Sequence, residues 1–173
     1  MNLRTIDSAQ DLMTNDNNET DSLKIAFNNY FEALKSLKRL GVVPNSKDFT
    51  SQLGEWLVST LFDGEKAISG IQKDWDVNVN GKLFQVKTHA KASTTSARWT
   101  SIKYRPNATI DELVIIVFSA EYKLKEYYSV PWPDALEHIR QNESGHVIYW
   151  DHLGNYKKIL DSLPKQNIVS VFR

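Results

Sequence analysis

The sequence predicts an α+β or mixed α/β fold: a central mixed β-sheet flanked by helices, in a single domain over residues 19–173 behind a polar leader at 1–18. Three observations predict it. Two stretches of helical periodicity fill the first third of the chain, an Asn-Gly hairpin signal sits at positions 80 and 81, and residues 113–118 form an unbroken apolar run followed by further short strands. The chain is long enough to bury a sizeable core in one domain.

Residues 1–18 are Asn- and Asp-rich and predict a loose or partly helical leader with no chemistry assigned to it. From Thr20 or Asp21, the apolar residues Leu23, Ala26, Phe27, Tyr30, Phe31, Leu34, Leu37 and Leu40 recur at helical spacing, and Gly41 supplies the stop. The aromatic stripe of this helix is expected to pack into the core. Val43-Pro44-Asn45-Ser46 reads as a turn, and Ser46 or Asp48 can cap a second helix reaching about Phe62, with Leu53, Trp56, Leu57 and Leu61 on its apolar side. Asp63-Gly64 ends it, and residues 65–73 are a loop or a first strand.

Asn80-Gly81 between alternating runs predicts a two-residue type I′ turn. That turn sets the register: Val79 faces Lys82, Asn78 faces Leu83, Val77 faces Phe84 and Asp76 faces Gln85. Side chains alternate along a strand and paired residues share a face. Asp76, Gln85 and Lys87 therefore emerge on one face, and Val77, Val79, Phe84 and Val86 cover the other.

After the hairpin, residues 88–100 are hydroxyl-rich and lack hydrophobic periodicity. They read either as a segment offering donors to phosphate, with Trp99 stacking on a base, or as a surface loop whose Trp is tucked against the core. Ile102–Tyr104 predicts a short strand. Leu113–Phe118 predicts one buried on both faces, and Lys125–Val130 another, ended by Pro131 and Pro133. A short helix is expected over 134–141, strands over 146–150 and 168–172, and a small helix or turn over 155–163.

Composition narrows the function. Hydrophobic content of 41%, aromatic content of 11% and five Trp describe a folded protein rather than a disordered one. No apolar run reaches membrane-spanning length and no export signal opens the chain, which predicts a soluble, cytoplasmic protein without a membrane partner. The absence of Cys excludes disulfides and thiolate metal sites. Formal net charge is zero, but no acid occurs between Asp76 and Asp111, a stretch holding Lys82, Lys87, Lys91, Arg98, Lys103 and Arg105. A basic stretch beginning at the hairpin suits phosphate contact, and a solvated basic loop is the plainer account of it.

A carboxylate, an amide oxygen and an amine gathered on an apolar backing can serve phosphodiester hydrolysis. Mg²⁺ prefers hard oxygen ligands and keeps several waters, while a lysine can orient the nucleophile or offset developing charge. An acid opening one strand, followed by Gln85-Val86-Lys87 in the next, resembles the core of the PD-(D/E)XK nuclease superfamily, the restriction-endonuclease-like fold. The match is to its variant with Gln in place of the second acid, found in Mrr-like restriction nucleases and some intron homing endonucleases. The likeness spans roughly residues 50–130, and its motif is short. Gly54-Glu55-Trp56-Leu57-Val58 is similar to the helix that precedes the catalytic hairpin in that superfamily and often donates an acid. The apolar strand followed by the Tyr-rich strand entering Pro131-Trp132-Pro133 is similar to its later sheet.

The resemblance implies a Mg²⁺-dependent DNA endonuclease, with Mn²⁺ as a substitute ion. Glu55, Asp76, Gln85 and the Val86 carbonyl would be metal ligands, and Lys87 would position the attacking water. Lys91, Arg98, Trp99, Lys103 and Arg105 would contact DNA. Asp74 competes with Asp76 for the metal and otherwise reads as an ion-pair partner of Lys87; His89 is a candidate for proton transfer. Gln85 lowers the negative charge of the site and weakens metal binding. A catalytically inactive nucleic-acid-binding module on the same fold is therefore the second reading, and a protein-interaction domain the third. Cutting both strands of a duplex would favour a homodimer.

Overall fold

The computed structural model describes residues 7–44, 48–68, 74–91, 97–143 and 145–173. Two compact units divide the chain, Met1–Ser46 and Lys47–Arg173. The first holds helix α1, Asp7–Arg39, which begins well before Thr20. Much of the stripe expected in the core is exposed instead: Leu23, Phe27, Tyr30 and Phe31 are each about half to two-thirds accessible, whereas Leu34 and Leu37 are part-buried.

The second unit is a mixed α+β structure. Helix α2, Phe49–Leu61, starts at the Asp48 N-cap, whose carboxylate accepts the Ser51 N–H at 3.1 Å. Five strands follow into one sheet: β1 Glu65–Lys66, β2 Val77–Val79, β3 Lys82–Lys91, then, after a strand of the second sheet, β5 Glu112–Ser119 and β6 Leu124–Pro131. Their spatial order is β1-β2-β3-β5-β6, antiparallel except for the parallel pair β3 and β5. Strand β4, Trp99–Ser101, joins β8, Gly145–Tyr149, and β7, Ile139–Asn142, in a three-stranded antiparallel sheet of order β4-β8-β7. No helix among the described residues is long and apolar enough to cross a membrane.

The hairpin register holds as predicted: Val79 pairs with Lys82, Asn78 with Leu83 and Val77 with Phe84. Asn80 and Gly81 both adopt positive φ, +51° and +87°, as a type I′ turn requires, and the Asn78 side chain accepts the Gly81 N–H at 2.9 Å. Strand β5 is buried on both faces. Leu113, Ile115 and Val117 meet Tyr128, Val130, Trp132, Ile148 and Trp150 in one core cluster. On the opposite face β3 carries Phe84, Val86 and Thr88, and α2 covers it. The ring of Phe62, just past α2, packs edge-on against Phe84 at 6.3 Å, and a Cβ on Gly54 would lie 1.7 Å from Thr88 Oγ1.

Several boundaries differ from expectation. Strand β3 runs on through Lys91, because parallel pairing with β5 extends to Lys91 opposite Ser119. The short strand expected at 102–104 lies at Trp99–Ser101, fixed by its pairing to β8. Helix α3 occupies Trp132–His138, and Ile139–Gln141 become strand. The segment 168–172 is helical: α4 spans Gln166–Val169, and a 3₁₀ turn follows over Ser170–Phe172. The Gln166 amide donates to the carbonyls of Leu160 and Leu163, seating this segment on the preceding turn rather than on a sheet edge.

Candidate active site

The centre of the site is the place where the hairpin ladder ends. Asp76 precedes β2, and its N–H donates to the Phe84 carbonyl at 2.8 Å, while its carbonyl accepts the Ala67 N–H at 2.8 Å. Its carboxylate then turns along the sheet and accepts the Val86 N–H at 2.7 Å. A side chain thus replaces the backbone acceptor that a continuing β2 would have supplied. Within a strand, a residue's N–H and C=O point toward the same neighbouring strand. The Val86 carbonyl therefore faces the same edge as Asp76, beyond the start of β2.

Glu55 comes from α2 above this edge. Burial raises its carboxyl to about 7, and the negative charge of Asp76 adds to the rise; Lys66 and Lys87 oppose it. Burial also raises Asp76, against the Val86 N–H and the charge of Lys87. Glu55, Asp76 and Lys87 thus share one electrostatic environment, in which two carboxylates stand partly desolvated within range of each other. Gly54 is what lets α2 come this close, since its missing side chain leaves room for Thr88.

Gln85 and Lys87 alternate with Val86 along β3 and share the sheet face opposite α2. Gln85 lines a small cavity with Asp74, Lys103, Arg105 and Ile110. Glu55, Asp76 and the Val86 carbonyl gather at the strand edge, and Gln85, next to Phe84 in the register that places Val77 opposite Phe84, also lines the small cavity with Lys103 and Arg105. Asp74 pairs with Arg105, not with Lys87 as expected. Together with Pro106, Asn107 and Ala108 these two line an adjoining cleft of about 310 Å³.

The remaining predicted contacts have varied surroundings. Lys103 is exposed on the cavity rim, and Trp99 is half-buried in β4 opposite Tyr149. Arg98 is engaged within the chain, donating to Asp151 at 2.6 Å and Glu126 at 2.9 Å, with its guanidinium 5.5 Å from the Trp150 ring centre. The backbone of Lys91 belongs to β3, and its side chain lies outside the described residues. His89 packs against Trp150 at 4.8 Å between ring centres. Sequence reasoning missed Asp111, which locks the start of β3 by accepting the Leu83 N–H on its carboxylate at 2.8 Å and donating its own N–H to the Leu83 carbonyl at 2.8 Å. Its only sequence signal is an acid at the foot of an apolar strand.

The oxygen donors that could hold a divalent cation are the Glu55 and Asp76 carboxylates and the Val86 carbonyl. Among the described residues no group of three or more His, Asp or Glu side chains could hold a metal. Two carboxylates and a carbonyl still suit an ion of the Mg²⁺ kind, which binds through one or two carboxylates and retains waters. A cation held by them would offset their mutual repulsion at a partly desolvated edge. Compared with known proteins, the chain matches no family model and no curated protein.

Proposed function

We propose that this protein is a metal-dependent DNA endonuclease of the PD-(D/E)XK type. One observation carries the reading: Asp76 leaves the ladder to bond the Val86 N–H beside Lys87, under a Glu55 whose carboxyl is raised to about 7. The element order supports it: helix α2 precedes the hairpin, and the apolar strand β5 and the Tyr-bearing strand β6 follow in the same sheet, as the resemblance implies. A divalent cation bound there would polarise a phosphoryl oxygen and lower the pKa of its water. Lys87 would orient the attacking water and offset charge developing on the phosphate. Lys103 and Arg105, on the cavity wall beside Gln85, would meet neighbouring phosphates of the duplex backbone. Arg98 could join them only by leaving Glu126 and Asp151.

A second reading, a DNA-binding module that no longer cuts, is favoured by Gln85, which supplies no charge where a second acid would. Nicking of supercoiled plasmid with Mg²⁺ or Mn²⁺ separates the two. The nuclease predicts metal-dependent nicking, reduced a hundredfold or more in both Asp76→Ala and Lys87→Ala, in line with loss of a transition-state contact. Salt-sensitive binding of the same DNA without nicking, unchanged by Lys87→Ala, would select the module instead.

A further inference from the structure

Residues 102–105 run from β4 to the cleft that Arg105 lines, and hydrogen bonds pin the stretch at both ends. Ile102 is 4% exposed, and its N–H donates to the His146 carbonyl at 3.0 Å, which carries the contact of β4 with β8 one residue further. The Arg105 carbonyl accepts the Ala108 N–H at 3.1 Å and closes the turn that follows. Between these anchors Lys103, Tyr104 and Arg105 set an aromatic ring between two cations. Tyr104 lies on the His146 ring, with 5.5 Å between centres and 25° between planes, an offset stack. Tyr104 is still 52% exposed and His146 is exposed as well, so the stack keeps open ring surface. Lys103 and Arg105 meanwhile line the small cavity beside Gln85.

An aromatic face held in place and flanked by cations suits a nucleic-acid strand whose bases are unpaired. The cations follow the phosphates, and the ring takes a base by its face. Within an intact duplex that face is covered by the neighbouring base pairs, so a stacking surface selects for a nucleotide that has left the helix or never joined one. We infer that Tyr104, backed by His146, stacks an unpaired base of a DNA strand whose phosphates Lys103 and Arg105 hold. The inference rests on the DNA-binding part of the proposed function. It narrows the substrate to DNA carrying a single-stranded stretch, since the cations on either side of the ring are the ones that line the cavity at Gln85.

Fluorescence anisotropy on the full chain in chelator tests it, with three DNAs: an oligothymidylate of about twelve nucleotides, an abasic deoxyribose-phosphate strand of the same length, and a blunt duplex. The wild type should bind the thymidylate about tenfold more tightly than the abasic strand, the worth of one stacked base. Tyr104→Ala should lose that margin with duplex binding unchanged, and Tyr104→Phe, which keeps the ring, should retain it. Equal affinity of the wild type for the thymidylate and the abasic strand would overturn the inference without recourse to any variant. An undiminished margin in Tyr104→Ala, or an equal loss on single strand and duplex, would overturn it too. Because no metal is present, cleavage has no part in these outcomes. Duplex binding without a thymidylate margin would sink the stacking surface alone, whereas no binding to any of the three DNAs would overturn it together with the DNA reading itself.

Discussion

Two charged clusters in the Lys47–Arg173 unit are built from the same residue types and reach opposite electrostatic states. Around Glu126, burial pushes the carboxyl up, but Arg98 at 2.9 Å, the Tyr128 hydroxyl and Lys157 at 3.5 Å hold it below its ordinary value. Arg98 is in turn raised by Glu126 and Asp151, so each charge there answers another. Around Asp76 the balance is reversed. Glu55 and Asp76 are both raised, and Lys87 only moderates the rise. The closed cluster ties Arg98, at the threshold of β4, to β6 and so fastens one sheet to the other. The open one leaves two carboxylates at a strand edge whose desolvation Lys66 and Lys87 only partly offset, the kind of perturbed group that marks a candidate site.

The largest effect on this contrast should come from the seat of α2. A Cβ at Gly54 would stand 1.7 Å from Thr88 Oγ1 and 2.8 Å from Thr88 Cβ, so no rotamer of Thr88 clears it and the helix or strand must move. Gly54→Ala should destabilise the protein by about 3 kcal/mol, the upper part of the overpacking range, less up to ~1 kcal/mol returned by helix propensity. Urea unfolding checks it. Adding Thr88→Ala, which removes the hydroxyl but keeps Cβ, should restore part of the loss. An unchanged midpoint for Gly54→Ala would show that α2 does not sit this close to β3.

Next in size is the closed cluster. Glu126→Ala removes one of the two carboxylates paired with Arg98, leaving Asp151, and should cost about 1–3 kcal/mol, the range for losing a hydrogen-bonded, partly buried charge. Removing charge from the open cluster should do the reverse: Glu55→Gln should leave stability equal or higher near pH 8. Two variants that shift stability in the same direction would erase the distinction.

How far these features were legible from sequence follows from how local their causes are. Asn80-Gly81 fixes its own turn, so the register from Val77–Phe84 to Val79–Lys82 could be read directly. The apolar run of β5 needs only burial on both faces. Ile168, Val169, Val171 and Phe172 carry a strand-like composition, yet Gln166 binds the carbonyls of Leu160 and Leu163 and the segment coils. Trp99–Ser101 becomes strand because β8 lies beside it, some fifty residues on. At the site, counting along the hairpin put Asp76 opposite Gln85; the turn of its carboxylate toward Val86 arises because β2 has ended there, which no alternation rule records.

The pH dependence of stability sharpens the comparison further. An unfolded Glu55 ionises near 4.5, whereas the folded one resists until about 7. Below pH 4 both states hold the proton and the group contributes nothing; from about 4.5 to 7 the unfolded chain releases it first, so stability falls across that window and then levels. Glu126 has the opposite sign: its lowered carboxyl stabilises the fold above about 4.5, and that contribution is lost as pH falls. With chelator present, the stability difference between wild type and Glu55→Gln should therefore change between pH 4.5 and 7, and that for Glu126→Gln should change only below it. Parallel curves for Glu55→Gln would mean that its carboxyl is not raised.

The smallest effect should come from Asp74→Asn. This pair with Arg105 is about one-third exposed on each side, so solvent and salt screen it and its loss should cost under about 1 kcal/mol. Its consequence for DNA should be larger than for stability. Releasing Arg105 beside the small cavity it lines with Gln85 and Lys103 frees a cation for phosphate, so Asp74→Asn should bind DNA more tightly, with a steeper salt dependence by about one phosphate contact. Fluorescence anisotropy across a salt series reads both quantities. Weaker binding would instead mean that Asp74 holds Arg105 in the orientation the backbone needs, making the ion pair part of the binding surface rather than a restraint on it.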